Sequence, residues 1–143
     1  MYVKTKCENN YIISYVKKLK TTTKIDLNNK KVDVTINGNG SLLEVNCKID
    51  LEDPKTTKKI EEDIKEEINR IINKATNLIQ NTYQTDVLGY GMKIHKTNPK
   101  QWNKIKNNWD NIFQQLEIST KINIDIKSKG SLIQTIEEEN NEK

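Results

Sequence analysis

Over the first fifty residues apolar and polar positions alternate with period two, and further along the chain the spacing changes to three or four. From Tyr11 to Leu27 the apolar side chains fall on odd positions: Tyr11, Ile13, Tyr15, Leu19, Ile25 and Leu27. That pattern predicts a strand with one buried face and one lysine-rich wet face. Tyr2 to Cys7 alternates more weakly and reads as a short edge strand. Asp26 to Lys30 supplies a turn, and Val32, Val34 and Ile36 form the returning arm of an antiparallel hairpin. Beyond Gly38-Asn39-Gly40 the apolar positions move to odd numbers at Leu43, Val45, Cys47 and Ile49. The slip predicts a bulge or bend in one long strand, in preference to a second hairpin.

Asp53-Pro54 places an N-cap residue before a proline at the first helical position. Ile60, Ile64, Ile68, Ile71, Ile72, Ala75, Leu78 and Ile79 then share one stripe of a helix of about six turns. Lys58, Glu61, Glu62, Lys65, Glu66 and Glu67 form its wet face. Asn98-Pro99 opens a second helix with Trp102, Ile105, Trp109, Ile112, Phe113 and Leu116 at the same spacing. Gln84 to Thr97 lies between them as a loop or short helix. A last strand follows, with Leu116, Ile118, Ile122, Ile124 and Ile126 on one face, and Gly130 ends or kinks it before Leu132 and Ile133.

The order β-β-β-α-α-β predicts an α+β fold, in which a four-stranded, mainly antiparallel sheet is covered on one face by two long helices. The fourth strand could pair beside the first or the third. Residues 1–136 are expected to form a single domain, and the acidic 137–143 a disordered tail.

The charge narrows the function classes. Net +4 comes from 24 basic and 20 acidic residues, and on the helices the lysines alternate with acids. A nucleic-acid binder presents a clustered basic face with aromatics interleaved, so nucleic acid ranks last as a partner, with the Lys17-Lys18-Lys20 strand face as its one candidate. Cys7 and Cys47 belong to no CxxC pair and read as two isolated thiols, with a disulfide left open. With a single histidine, His95, no metal site or cofactor is expected. No segment has the ~20 apolar residues of a membrane helix. The residues from Met1 to Cys7 lack a signal-peptide core and are too polar for a lipid-attachment site. As given, the chain reads as soluble.

Candidate chemistry concentrates in Asp86-Val87-Leu88-Gly89-Tyr90-Gly91-Met92-Lys93-Ile94-His95. The glycine pair lacks the preceding strand and third glycine of a dinucleotide loop. His95 could work as a base only beside a carboxylate such as Asp86 or Asp110. Trp102 and Trp109, two turns apart, serve as core or, if exposed, as interface anchors.

Taken together, Asp86-Val87-Leu88-Gly89-Tyr90-Gly91, His95, Asn98-Pro99-Lys100-Gln101-Trp102 and Asn108-Trp109-Asp110-Asn111-Ile112-Phe113 resemble the signature of the Ger(x)C proteins, the C-subunit lipoproteins of spore germination receptors. The likeness runs over residues 2–130. It departs from the family at Met92-Lys93-Ile94, where members carry a small acidic-aromatic segment, and at Gln114, where a proline is common. Family members are longer, with a lipid-anchored N-terminus and two further domains. This chain is similar to the last domain only and is expected to be a fragment.

The resemblance implies a subunit of a nutrient germinant receptor on the outer face of the spore inner membrane. Its partners would be the membrane-embedded A and B subunits, and its membrane association would run through a lipid anchor absent from this chain. It implies no enzymatic activity and no cofactor. The expected function is a non-catalytic interaction domain acting in spore germination. Its expected interaction surface is Asp86, Gly89, Tyr90, Gly91, His95, Trp102 and Trp109. The alternative is a small-ligand-binding or enzymatic domain using the Asp86–His95 loop.

Overall fold

The computed structural model describes residues 1–129. Its elements are β1 (Tyr2–Cys7), β2 (Asn10–Asp26), β3 (Lys31–Val45), α1 (Pro54–Leu78) with a wider π turn at Ile79–Tyr83, α2 (Tyr90–Thr97), α3 (Pro99–Ile105), a 3-10 turn at Lys106–Asn108, α4 (Trp109–Gln114) and β4 (Glu117–Ser128). The sheet order is β1-β2-β3-β4, so the fourth strand pairs beside the third. The α+β class and the four-stranded sheet are as the sequence predicts. The proposed acidic tail and the segment around Leu132 lie outside the described residues.

β1 and β2 are antiparallel, with Tyr2 opposite Tyr15 and Cys7 opposite Asn10. The turn into β3 is held by Asp26, whose carboxylate accepts from the backbone and side-chain nitrogens of Asn29. β4 runs parallel to β3. Glu117 N donates to Lys30 O at 2.8 Å, Ser119 to Asp33 at 2.7 Å and Asn123 to Asn37 at 2.8 Å, so both residue numbers rise together. Parallel neighbours need a long crossover, and the helices between Pro54 and Gln114 supply it.

Two compact units divide the described chain: Met1–Thr21, Ile36–Arg70 and residues 122–129 belong to one, Thr22–Thr35 and Ile71–Lys121 to the other. In the first unit, α1 buries Ile60, Ile64 and Ile68, and the sheet buries Val3, Ile12, Val16, Leu42, Ile122 and Ile124. The helix starts as its sequence predicts, with Asp53 Oδ1 accepting from Lys55 N at 2.9 Å. Glu61 on its flank accepts from Ile126 N of β4.

Three local readings need correction. In the first half of β2 the even positions Ile12, Ser14 and Val16 point inward, not Tyr11, Ile13 and Tyr15. Lys18 takes a left-handed φ of 55°, and only beyond it do the odd positions Thr23, Ile25 and Leu27 turn inward. One extra residue in a strand reverses every side chain after it. In β3 no reversal occurs across the glycines. Gly40 and Leu42 continue the even inward face set by Val32, and Leu43 is exposed. Gly38 is there for proximity: a Cβ on it would meet Leu19 at 2.8 Å and Ile124 at 3.1 Å.

The third correction concerns the cysteines. Cys7 and Cys47 are joined as a disulfide, with Cα atoms 6.2 Å apart, across a sequence separation of 40 residues. Nothing in their spacing could reveal this, because the pairing depends on where the hairpins bring the ends of β1 and β3. The second long helix is also divided. Asn98 opens it as expected, as the cap of α3 with φ −145°, accepting from Gln101 N. The Lys106-Asn107-Asn108 turn then separates α3 from α4, as expected where asparagines compete for the backbone.

A closed loop of this length stabilises the fold by about 4 kcal/mol on chain-entropy grounds. Cys47→Ser is therefore expected to lower the urea midpoint as much as a reducing agent lowers that of the wild type, and reductant should not shift the variant further.

Candidate functional site

The site is built on Asp86, in the second unit. Its carboxylate accepts three N–H groups: Tyr90 N at 3.2 Å on Oδ1, Gly91 N at 2.7 Å and the Trp109 indole Nε1 at 3.0 Å, both on Oδ2. The first two are unpaired donors of the first turn of α2. The third comes from α4, so one carboxylate caps a helix and fastens another to it. An anion at this end of α2 also complements the helix dipole.

The two glycines serve different needs. Gly89 has φ 76°, a left-handed value that costs other residues about 1–2 kcal/mol. Gly91 is buried beneath the indoles, and a Cβ there would lie 2.7 Å from Trp109 Nε1 and 3.0 Å from the Trp102 ring. The aromatic rings continue from this point. Trp102 meets Trp109 edge-on at 5.7 Å, and His95 stacks on Trp102 at 6.0 Å. Below them Trp109 and Tyr90 both reach Phe113, which is fully buried with Val32, Ile94 and Leu116. Burial and, second, the Asp86 carboxylate hold the Tyr90 phenol above its ordinary pKa, so it stays neutral.

Sequence reasoning missed Gln80. This buried side chain in the π turn donates from Nε2 to Phe113 O and Leu116 O, both at 2.9 Å, and so satisfies the carbonyls at the end of α4. A glutamine one position past the apolar Ile79 gives no signal of its own in the sequence.

Of the seven residues singled out, Asp86, Gly91, His95, Trp102 and Trp109 form one connected cluster, with Tyr90 beside it. Tyr90, Gly91 and Trp109 are buried, Trp102 is half-buried, and Gly89 and His95 are exposed. The three hydrogen-bond partners of Asp86 do not include His95. Two open clefts of about 450 and 750 Å³, sharing Lys6 and Asp63 in the first unit, contain none of the seven. Among the described residues, no group of three or more His, Cys, Asp or Glu side chains is placed to hold a metal, and no helix is long and apolar enough to cross a membrane.

The family described as "Spore germination B3/ GerAC like, C-terminal" matches residues 1–130, a span that includes every member of the cluster. The chain belongs to this family. A curated relative, "Spore germination protein YndF" of Bacillus subtilis (strain 168), is 35% identical over 54 residues, which is 38% of this chain and 13% of that protein. The crystal structure of the GerBC protein has the same fold, with a TM-score of 0.69 and 22% identity over 89% of this chain and 40% of that one. The chain thus spans well under half the length of either relative. It is a C-terminal domain of the GerAC-like spore germination family, and its sheet and helices match those of GerBC.

Gly91→Ala is expected to cost about 1–3 kcal/mol by forcing the indoles apart. Asp86→Ala is expected to cost about 1.5–3 kcal/mol, as three donors lose a charged partner. Urea unfolding followed by tryptophan fluorescence measures both, and Asp86→Asn should recover part of the second loss.

Proposed function

We propose that this domain is a non-catalytic interaction domain of the C subunit of a spore nutrient germinant receptor. Its working surface is the outward side of the segment from Asp86 to Trp109. In this reading the full-length protein is held at the outer face of the spore inner membrane and works with the A and B subunits there.

The observation that carries the reading is the use of Asp86. A carboxylate engaged by three N–H donors, one of them from a different helix, stiffens the backbone around it. What this rigid base presents outward is apolar: Val87, Leu88 and Met92 stand in solvent around it. Exposed apolar side chains on a fixed backbone suit binding, because little entropy is lost when they are covered. Family membership supports the setting in germination. The disulfide supports a location outside the cytosol, since such bonds persist in oxidising compartments.

Val87→Asp combined with Met92→Asp, placed in the full-length C subunit, tests the surface. The expected result is an unchanged melting temperature of the domain with a reduced germinant response of the spores. Spores that respond normally while carrying the folded variant would refute the assignment.

A further inference from the structure

Tyr83 is 64% exposed, Val87 66%, Leu88 41% and Met92 59%, a concentration of large apolar side chains in ten residues of chain. None of them lines either of the two clefts of the first unit. Val87 N donates to Thr85 O across Asp86, and Val87 and Leu88 form the turn that follows. At the end of that turn a Cβ on Gly89 would meet nothing within 4 Å, so the turn stands clear of the unit's body.

The charge around them is one-sided. From Ile71 to Trp109 there are six lysines and a single acid, Asp86, a net +5 where the whole chain is +4. That one carboxylate is already occupied by N–H groups. On α2 the buried positions are Tyr90, Gly91 and Ile94, while Met92, Lys93 and Lys96 are exposed, followed by Lys100 and Lys104 on α3. The acids that balance the lysines elsewhere in the chain are missing here.

We propose that this surface docks on an anionic phospholipid bilayer, with Val87, Leu88 and Met92 entering the headgroup boundary and Lys93, Lys96 and Lys100 meeting lipid phosphates. It rests on the reading of the Asp86–Trp109 segment as the working surface and supplies the chemistry of what that surface meets. A bilayer accepts separate apolar side chains on a projecting turn without shape complementarity, and lysines beside them add attraction to anionic lipid. Lysine supplies the positive charge of this stretch, with no arginine among residues 71–109, and it meets phosphates as a compact point charge.

The test is co-sedimentation of the full chain with phosphatidylcholine vesicles, with and without phosphatidylglycerol. Binding is expected only with the anionic lipid, and it should weaken as salt shortens the Debye length from about 10 Å to about 3 Å. Two variants of unchanged melting temperature, Val87→Ser/Leu88→Ser/Met92→Ser and Lys93→Gln/Lys96→Gln/Lys100→Gln, should each weaken binding about tenfold or more. Absence of wild-type binding to anionic vesicles would overturn the proposal. So would binding that the lysine variant abolishes and the apolar variant leaves intact, which means that Val87, Leu88 and Met92 do not enter the bilayer. Because vesicle binding needs no other receptor subunit, its loss with a retained effect of Val87→Asp/Met92→Asp on germination removes the lipid contact alone. Vesicle binding with normal germination in those spores removes the functional surface instead.

Discussion

A half-buried carboxylate in a small domain must be fully hydrogen-bonded to be tolerated. Asp86 meets that condition in a way that organises everything around it. Two of its donors start α2 and the third is the indole of Trp109 on α4. The indole can reach it only because residue 91 is a glycine. With Trp109 fixed, Trp102 is set against it edge-on and His95 against Trp102. The exposed turn at Val87-Leu88 is then the outer side of the same constraint: the chain between Asp86 and Gly91 is short, and its two aliphatic side chains have no inward place.

A loop would serve poorly as a presented surface if it were free to collapse. Here it is bounded by Asp86 at one end and by the helix that Asp86 caps at the other. Gln80 contributes from below by holding the carbonyls of Phe113 and Leu116. In the first unit a comparable role falls to the disulfide, which ties the end of β1 to the chain leaving β3.

Where periodicity was carried by backbone geometry alone, the fold was legible. Asp53-Pro54 and Asn98-Pro99 begin helices as their local chemistry requires, and Ile60, Ile64 and Ile68 are buried where the stripe places them. The faces of β2 were not legible over their first half, because the left-handed residue is a lysine, which carries no signature of a bulge. Gly38 drew attention as a bend, yet its neighbours Leu19 and Ile124 come from other strands and are invisible locally. The candidate site shows the same division. Its residues were singled out by the glycine-containing stretch that periodicity leaves unexplained and by the resemblance to the family signature. Their division into buried and outward side chains needed the fold, and so did the charge asymmetry of the segment.

Everything at the site follows from the bond between Asp86 and the Trp109 indole. A double-mutant cycle of Asp86→Ala and Trp109→Phe, read by urea unfolding, isolates it, since phenylalanine removes the N–H and keeps an aromatic ring. The predicted coupling is about 1–2 kcal/mol. Losses that add to within about 0.3–0.5 kcal/mol would mean that the carboxylate and the indole act independently, and would contradict the account.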